Sequence, residues 1–184
     1  MKTIVVTGGN KGIGLEICRQ LSERGHNVIL TSRDLKKGEK ASTTFGKSVH
    51  VKQLDVTDSG QIEALSKEIR KEFGHIDVLI NNAGIGIGSR GAMKADMNEV
   101  RQIMETNFFA AWNMVRAFLP LLEKSRDAQI INMSSGMGEL RSLSGDYAGY
   151  RMSKSSLNAL TILLARELNH KGIKVNAMCP GWVR

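Results

Sequence analysis

Cysteine is scarce in this 184-residue chain: there are two, Cys18 and Cys179, far apart and outside any Cys/His cluster. That excludes a disulfide scaffold and offers no metal-ligand spacing. Both are read as small buried hydrophobes. Long hydrophobic runs are also lacking, and none approaches the ~20 residues of a membrane-spanning helix. The start, Met1-Lys2-Thr3-Ile4-Val5-Val6-Thr7-Gly8-Gly9, reaches a glycine turn too soon for a signal peptide. A reduced, cytoplasmic protein without membrane contact is the expectation. Aromatic residues make only 5% of the chain, thin for stacking on single-stranded nucleic acid. No tandem repeat or low-complexity linker is present.

Charge is present in excess of one sign. Lys and Arg number 26 against 18 Asp and Glu, for a formal net charge of +8. Such a charge permits anion binding without choosing the anion. The cations are interleaved with acids, as in Lys36, Lys37, Glu39, Lys40 and in Lys67, Glu68, Arg70, Lys71, Glu72. That pattern reads as solvated helix faces, and no nucleic-acid partner is expected. Histidines 26, 50, 75 and 170 lie near element ends and are expected at exposed positions.

Hydrophobic patterning alternates between short β-branched runs and longer helical stretches. Strands are predicted at Lys2–Thr7, Asn27–Ser32, Val49–Leu54, Asp77–Asn81, Ala128–Ser134 and Ile173–Met178. Helices are predicted at Gly12–Arg24, Asp58–Phe73, Asn98–Glu123 and Tyr150–Lys171, three of them closed by Gly25, Gly74 and Gly172. Strands alternating with helices of this length imply right-handed βαβ crossovers. The expected fold is a single α/β domain over 1–184, a doubly wound parallel sheet in three α/β/α layers. In that architecture ligands sit outside the carboxyl ends of the strands. The motifs below fall at such ends.

The first βα turn, Thr7-Gly8-Gly9-Asn10-Lys11-Gly12-Ile13-Gly14, has a G-x-x-x-G-x-G spacing. Glycine allows a tight turn and close backbone approach to a ligand. The helix that follows presents free N–H groups to a pyrophosphate. Ser32-Arg33-Asp34 ends the second strand. Asp34 has the spacing of a ribose-binding carboxylate, which would mean NAD(H). Arg33 and Lys11 instead suit the 2′-phosphate of NADP(H), and the small Ser32 leaves it room. Two cations against one carboxylate favour NADP(H), with NAD(H) the less favoured reading. Asp55 is read either as an adenine contact or as a turn residue before a helix.

Tyr150 and Lys154, at i and i+4, share one helix face. Tyrosine alone is a weak acid at neutral pH, and a neighbouring ammonium favours its phenolate, so the pair suits proton transfer. Ser134-Ser135 ends the fifth strand at the same sheet edge. Asn107 is a polar residue amid apolar neighbours in a helix, read as having a polar task or as a buried structural asparagine. Asn81-Asn82-Ala83-Gly84 ends the fourth strand and fits a turn beneath a ligand.

In order and together, Thr7-Gly8-xxx-Gly12-x-Gly14, Asp55-Val56, Asn81-Asn82-Ala83-Gly84, Asn107, Ser135, Tyr150-xxx-Lys154 and Pro180-Gly181 resemble the short-chain dehydrogenase/reductase family. The likeness runs from the first strand to the last residue and is nearest to NADP-dependent, carbonyl-reductase-like members. It implies a Rossmann fold and reduction of an aldehyde, ketone or quinone by hydride transfer. It assigns acid/base catalysis to Tyr150, ribose binding to Lys154 and substrate positioning to Ser135. Asn107 would hold a water relaying protons to Lys154. Asp55 and Val56 would contact adenine. Asn81, Ala83 and Gly84 would line the ribose side, with Pro180, Gly181 and Val183 along the nicotinamide. The glycine-loop residues Gly8, Asn10, Lys11, Gly12, Ile13 and Gly14 complete the cofactor set.

Two departures stand out. Ser135 and Tyr150 are 15 residues apart, wider than the family habit, which leaves Ser134 as an alternative hydroxyl; the Met137–Gly149 segment is assigned to the substrate rim. The chain also stops at Trp182-Val183-Arg184, before the family's usual substrate-covering region and last strand. It is therefore read as truncated after the sixth strand, with an exposed edge there. A second reading follows: a non-catalytic NADP(H)-binding sensor or assembly module. By the resemblance, the two long helices pair across a two-fold axis into a homodimer or homotetramer.

Overall fold

In a computed structural model, which describes residues 1–88 and 90–181, six strands form one parallel sheet. They are β1 (Thr3–Val6), β2 (Asn27–Ser32), β3 (Val49–Gln53), β4 (Val78–Asn81), β5 (Gln129–Met133) and β6 (Lys174–Met178). Their order across the sheet is β3-β2-β1-β4-β5-β6. The direction of winding reverses between β1 and β4, so a crevice opens at the carboxyl ends of these two strands.

The strands are short apolar runs because both sheet faces are covered. Alternate side chains go to opposite faces. Val5, Ile29, Leu79 and Ile130 enter the core beneath α3 (Ser59–Phe73), α5 (Ala110–Leu122) and α6 (Ala148–Leu168). Ile4, Val6, Val28, Leu30 and Ile80 enter the core on the other face, where Cys18 of α1 (Gly12–Glu23) is buried.

The expected doubly wound sheet and its six strands are present, with ends shifted by at most one residue. Three local features differ from expectation. A helix absent from the sequence reading, α2 (Leu35–Ala41), follows β2, and Asp34 caps it by accepting from the Lys37 N–H at 3.2 Å. The expected helix Asn98–Glu123 is α4 (Met97–Met104) and α5 joined by a π turn at Glu105–Phe109. The last helix begins two residues early, at Ala148, and tightens into a 3-10 turn at Asn169–Lys171.

Cys18 is buried as expected, but Cys179 is exposed. It follows the edge strand β6, whose only buried residue is Val175, and its sulfur accepts from the Gly136 N–H at 3.1 Å. Of the histidines, only His170 is exposed. His26 is half-buried, accepting from the Lys2 N–H at 3.3 Å, and half-buried His50 stacks edge-on against Phe73 at 5.0 Å. His75 is half-buried as well.

Candidate active site

The glycine loop joins β1 to α1 at the crevice. Gly8 and Gly12 have φ of +64° and +55°, the left-handed region that side chains disfavour. Gly14 is required by contact instead: a Cβ there would lie 2.4 Å from the Asn82 amide nitrogen and 2.5 Å from the Gly8 carbonyl. Lys11 stands at the N-cap of α1 in extended backbone, and no side chain caps the helix. The first-turn N–H groups of α1 are thus left for a ligand. Beside Gly12 a Cβ would meet open space. Uncapped N–H groups, an open glycine surface and the exposed Lys11 fit the pyrophosphate of a dinucleotide. Asn10 is half-buried, and Ile13 packs its side chain into the core under α1.

Asn82, read in the sequence only as part of the turn after β4, fixes this loop. Its amide donates to the carbonyls of Thr7 at 2.9 Å and Gly8 at 3.2 Å. Thr7 reciprocates, its hydroxyl accepting from the N–H groups of Asn82 and Ala83, both at 2.9 Å. The carboxyl ends of β1 and β4 are laced together across the switch point. Asn81 turns inward. Its amide donates to the Asn132 oxygen at 2.9 Å, and Asn132 donates in turn to the Thr161 hydroxyl at 2.9 Å. The Asn81 side chain is thereby buried in the fold, its oxygen without a hydrogen-bond partner among the described residues. Ala83 is half-buried and Gly84 is exposed beside them.

Asn107 sits in the π turn and is 2% exposed. Such bulges occur often at functional sites because the extra residue redirects a side chain. Its oxygen accepts from the Ile85 N–H at 2.8 Å, and its amide donates to the Ile85 carbonyl at 2.9 Å and the Ser153 hydroxyl at 3.0 Å. Both readings of Asn107 meet here: it is a satisfied buried asparagine, and its clamp holds the loop after β4. A Cβ on Gly84 would lie 3.2 Å from its oxygen and 3.6 Å from the Lys154 ammonium. Both amide hydrogens are committed, and the oxygen has taken one donor.

Tyr150 and Lys154 lie on the first turns of α6. The Lys154 ammonium is 5.7 Å from the centre of the Tyr150 ring and donates to the Met133 carbonyl at 2.7 Å. Burial pushes its pKa down to about 8. Tyr150 is half-buried, with Gly86 against its ring. At the end of β5 the two serines diverge. Ser134 is 8% exposed and donates to the Asn158 oxygen at 2.6 Å. Ser135 is half-exposed and accepts from the Met137 N–H at 3.2 Å, opening the 3-10 turn Gly136–Gly138. That turn is pressed onto α6: a Cβ on Gly138 would lie 2.7 Å from the Lys154 Cβ. Ser155 and Asn158 both donate to the Gly138 carbonyl, at 2.9 and 3.2 Å. Ser153, Asn158 and Gly138 thus brace Ser135, Tyr150 and Lys154; only Gly138, three residues after Ser135, carries a spacing signal.

At the other end of the crevice, Arg33 is exposed, while Ser32 is buried and donates to the Asp34 carbonyl at 2.8 Å. Asp34 is exposed and caps α2 through one carboxylate oxygen, which accepts from the Lys37 N–H. Asp55 is half-buried and bonds within its own turn, accepting from the Thr57 N–H at 2.9 Å and hydroxyl at 2.7 Å. Val56 is 7% exposed in the core under α3. Pro180 and Gly181 are exposed after β6, and Val183 lies outside the described residues. Among the described residues no helix is long and apolar enough to cross a membrane, and no group of three metal-ligating side chains occurs.

A profile of the short chain dehydrogenase family matches residues 2–184. The chain is 32% identical to a (+)-neomenthol dehydrogenase of Arabidopsis thaliana, covering 98% of this chain and 82% of that protein. That alignment runs over 245 residues, more than this chain contains, so the plant protein carries insertions relative to it. It is 34% identical to the 3-oxoacyl-(acyl-carrier-protein) reductase FabG of Escherichia coli K12, covering 99% of this chain and 73% of that protein. Among solved structures, the putative carbonyl reductase Sniffer of Caenorhabditis elegans superposes with a TM-score of 0.91 at 28% identity, covering 100% and 85% of the two chains. With the family's profile met from the second residue to the last, the chain belongs to the short-chain dehydrogenase/reductase family of oxidoreductases, which bind nicotinamide cofactors.

Proposed function

We propose that the protein is an NADPH-dependent reductase of an aldehyde, ketone or quinone, with Tyr150 as its acid/base. The observation that carries this reading is the convergence of Ser135, Tyr150 and Lys154 at one sheet edge, with Asn107 clamping the loop beside them. When bound, NADPH supplies the hydride. Ser135 Oγ and the Tyr150 hydroxyl bond the substrate oxygen, and Tyr150 donates the proton that completes the alcohol. The Lys154 ammonium favours negative charge on the tyrosine oxygen and binds ribose hydroxyls. The proton is replaced through Lys154 and a water held by Asn107. Gly8 to Gly14 hold the pyrophosphate. Asp55 and Val56 flank the adenine, the main chain of Asn81, Ala83 and Gly84 lines the ribose side, and Pro180 and Gly181 line the nicotinamide.

NADP(H) is preferred to NAD(H) because Asp34 is engaged by its own helix while Arg33, just after β2, and Lys11, at the start of α1, stand exposed. A self-associating protein fits the outward apolar residues Phe109 and Trp112 on the π turn and α5, with Ile162 and Leu163 on α6.

The test is titration with NADPH and NADH by fluorescence, then carbonyl-dependent NADPH oxidation by the wild type and Tyr150→Phe. Tighter NADPH binding, and turnover lost in a variant that still binds NADPH, are expected. Equal turnover in Tyr150→Phe overturns its role, and NADPH binding without turnover over a broad carbonyl panel favours the sensor reading.

A further inference from the structure

Arg151 follows Tyr150 on the first turn of α6 and has no task in the scheme above. Its side chain turns back onto the segment between Ser135 and Tyr150. Nε donates to the Asp146 carbonyl at 2.9 Å and to its carboxylate at 3.2 Å, and Nη2 donates to that carboxylate at 2.8 Å. Nη2 also donates to the Ser144 hydroxyl, which itself donates to the Asp146 carboxylate. The Arg151 side chain is only 12% exposed although its acidic partner is 53% exposed. The Ser144 hydroxyl and the Arg151 guanidinium hold the Asp146 carboxyl below its ordinary range.

These bonds converge on a strained turn. Tyr147, the next residue, has φ +49° and ψ +38°, a left-handed conformation that side chains disfavour. Such conformations persist where surrounding contacts over-determine them. Arg151 grips both sides of this one: its side chain holds the Asp146 carbonyl, and its N–H donates to the Tyr147 carbonyl at 2.9 Å. An exposed ion pair alone is worth little. A guanidinium fork closing on a carboxylate, a hydroxyl and a carbonyl is a different object.

The clasped segment also carries the loop after β4. The Ala148 N–H donates to the Arg90 carbonyl at 3.2 Å. The backbones cross so closely that a Cβ on Gly91 would lie 2.3 Å from the Gly145 carbonyl oxygen. Gly86 of that loop lies against the Tyr150 ring, where a Cβ would be 3.6 Å from it. Both walls beside Tyr150 therefore meet at the segment that Arg151 holds.

We propose that Arg151 is a positioning residue of the substrate mouth: by clasping Ser144 and Asp146 it fixes the 143–147 segment, and through the Gly145–Gly91 crossing it fixes the loop on the other side of Tyr150. The inference rests on the reductase reading and names the device that seats the carbonyl compound. Among the described residues the bonds of the clasp reach Ser144, Asp146 and Tyr147 and none reaches the glycine loop, Arg33 or Asp55, so its loss is felt by the carbonyl substrate far more than by NADPH.

Arg151→Met, Arg151→Lys and Asp146→Asn test it. The readouts are KM and kcat for the carbonyl compound, the NADPH dissociation constant, and the rate of tryptic cleavage after Arg141, in the exposed 3-10 turn of the same segment. For Arg151→Met, KM is expected to rise about tenfold with kcat within about twofold, the pattern of lost ground-state seating. NADPH affinity is expected to stay within about twofold and cleavage to accelerate several-fold, as for a segment released to open locally. Arg151→Lys keeps the charge without the fork and is expected not to restore KM; Asp146→Asn is expected to behave as Arg151→Met does. Wild-type KM and cleavage rates in Arg151→Met overturn the proposal, as does full rescue by lysine. Absence of carbonyl turnover in the wild type overturns the reductase reading instead. Cleavage then decides the clasp, acceleration supporting it and an unchanged rate overturning it.

Discussion

The Lys154 ammonium donates to the Met133 carbonyl at 2.7 Å while lying 5.7 Å from the centre of the Tyr150 ring. One buried lysine thus ties the end of β5 to the helix that carries Tyr150. The tie fixes its position, and the burial lowers its proton affinity. Both effects have measurable consequences.

Lys154 holds its proton to about pH 8 in the folded chain, against 10.5 for an ordinary lysine. Unfolding between those values takes up a proton, so this group's contribution to stability rises as pH climbs from about 8 to 10.5 and is least favourable below 8. Lys154→Met removes the buried charge. Its stability relative to the wild type is expected to be highest near pH 7 and to fall by as much as about 2–3 kcal/mol towards pH 10.5. Urea unfolding at both pH values measures this. An unchanged difference would mean that the ammonium is better solvated than its burial implies. Carbonyl turnover is expected to fall about 100-fold in the same variant.

Asn107→Ala removes the three hydrogen bonds that the side chain makes to Ile85 and Ser153. The half-buried Ile85 N–H and carbonyl lose their partner and Ser153 keeps only its bond to the Tyr150 carbonyl, so a loss of about 2–4 kcal/mol is expected in denaturant unfolding. A loss under about 0.5 kcal/mol, within the range of ordinary surface substitutions, would contradict the clamp.

The two serines at the end of β5 are expected to separate. Ser134→Ala leaves the Asn158 oxygen without its donor and is expected to cost about 1–2 kcal/mol while keeping turnover. Ser135→Ala is expected to leave stability within about 0.5 kcal/mol and to lower turnover about 100-fold. The reverse pattern, in paired melting and rate measurements, would make Ser134 the acting hydroxyl.

Arg33→Ala is expected to weaken NADPH binding about tenfold or more and to leave NADH binding unchanged. Asp34→Ala is expected to cost about 1 kcal/mol through the lost α2 cap without weakening NADH. Titration of both variants with both nucleotides checks this. Weakened NADH binding in Asp34→Ala would restore the carboxylate to the ribose.

Much of the fold was legible in the chain because its signals are local. Val5 and Val6, or Ile29 and Leu30, read as a strand buried on both faces, and a glycine after three of the four helical stretches marks their ends. Helix α2 was not legible. Leu35–Ala41 is short, lysine-rich and carries a glycine, and its start depends on one cap from Asp34, a residue that also has the spacing of a ribose ligand. Cys179 was misplaced because its exposure follows from lying beyond an edge strand, which depends on sheet order rather than on residue type.

At the site, the chemistry-bearing residues could be named from motif and spacing: a glycine loop between strand and helix, and a tyrosine and lysine one helical turn apart. The sequence by itself determined the α/β alternation and which residue types stand at the strand ends, because hydrophobic period and glycine placement act over a few residues. Tertiary structure alone decided which hydroxyl donates within the fold and which only accepts. Ser134 and Ser135 are chemically alike, and only the meeting of β5 with Asn158 of α6 distinguishes them. It likewise turned Asn81 inward, gave Asn82 the lacing of two strands and set Asn107 in a π turn against Ile85. Each outcome rests on hydrogen bonds between residues distant in sequence, whose geometry exists only once the sheet has formed and its helices have packed.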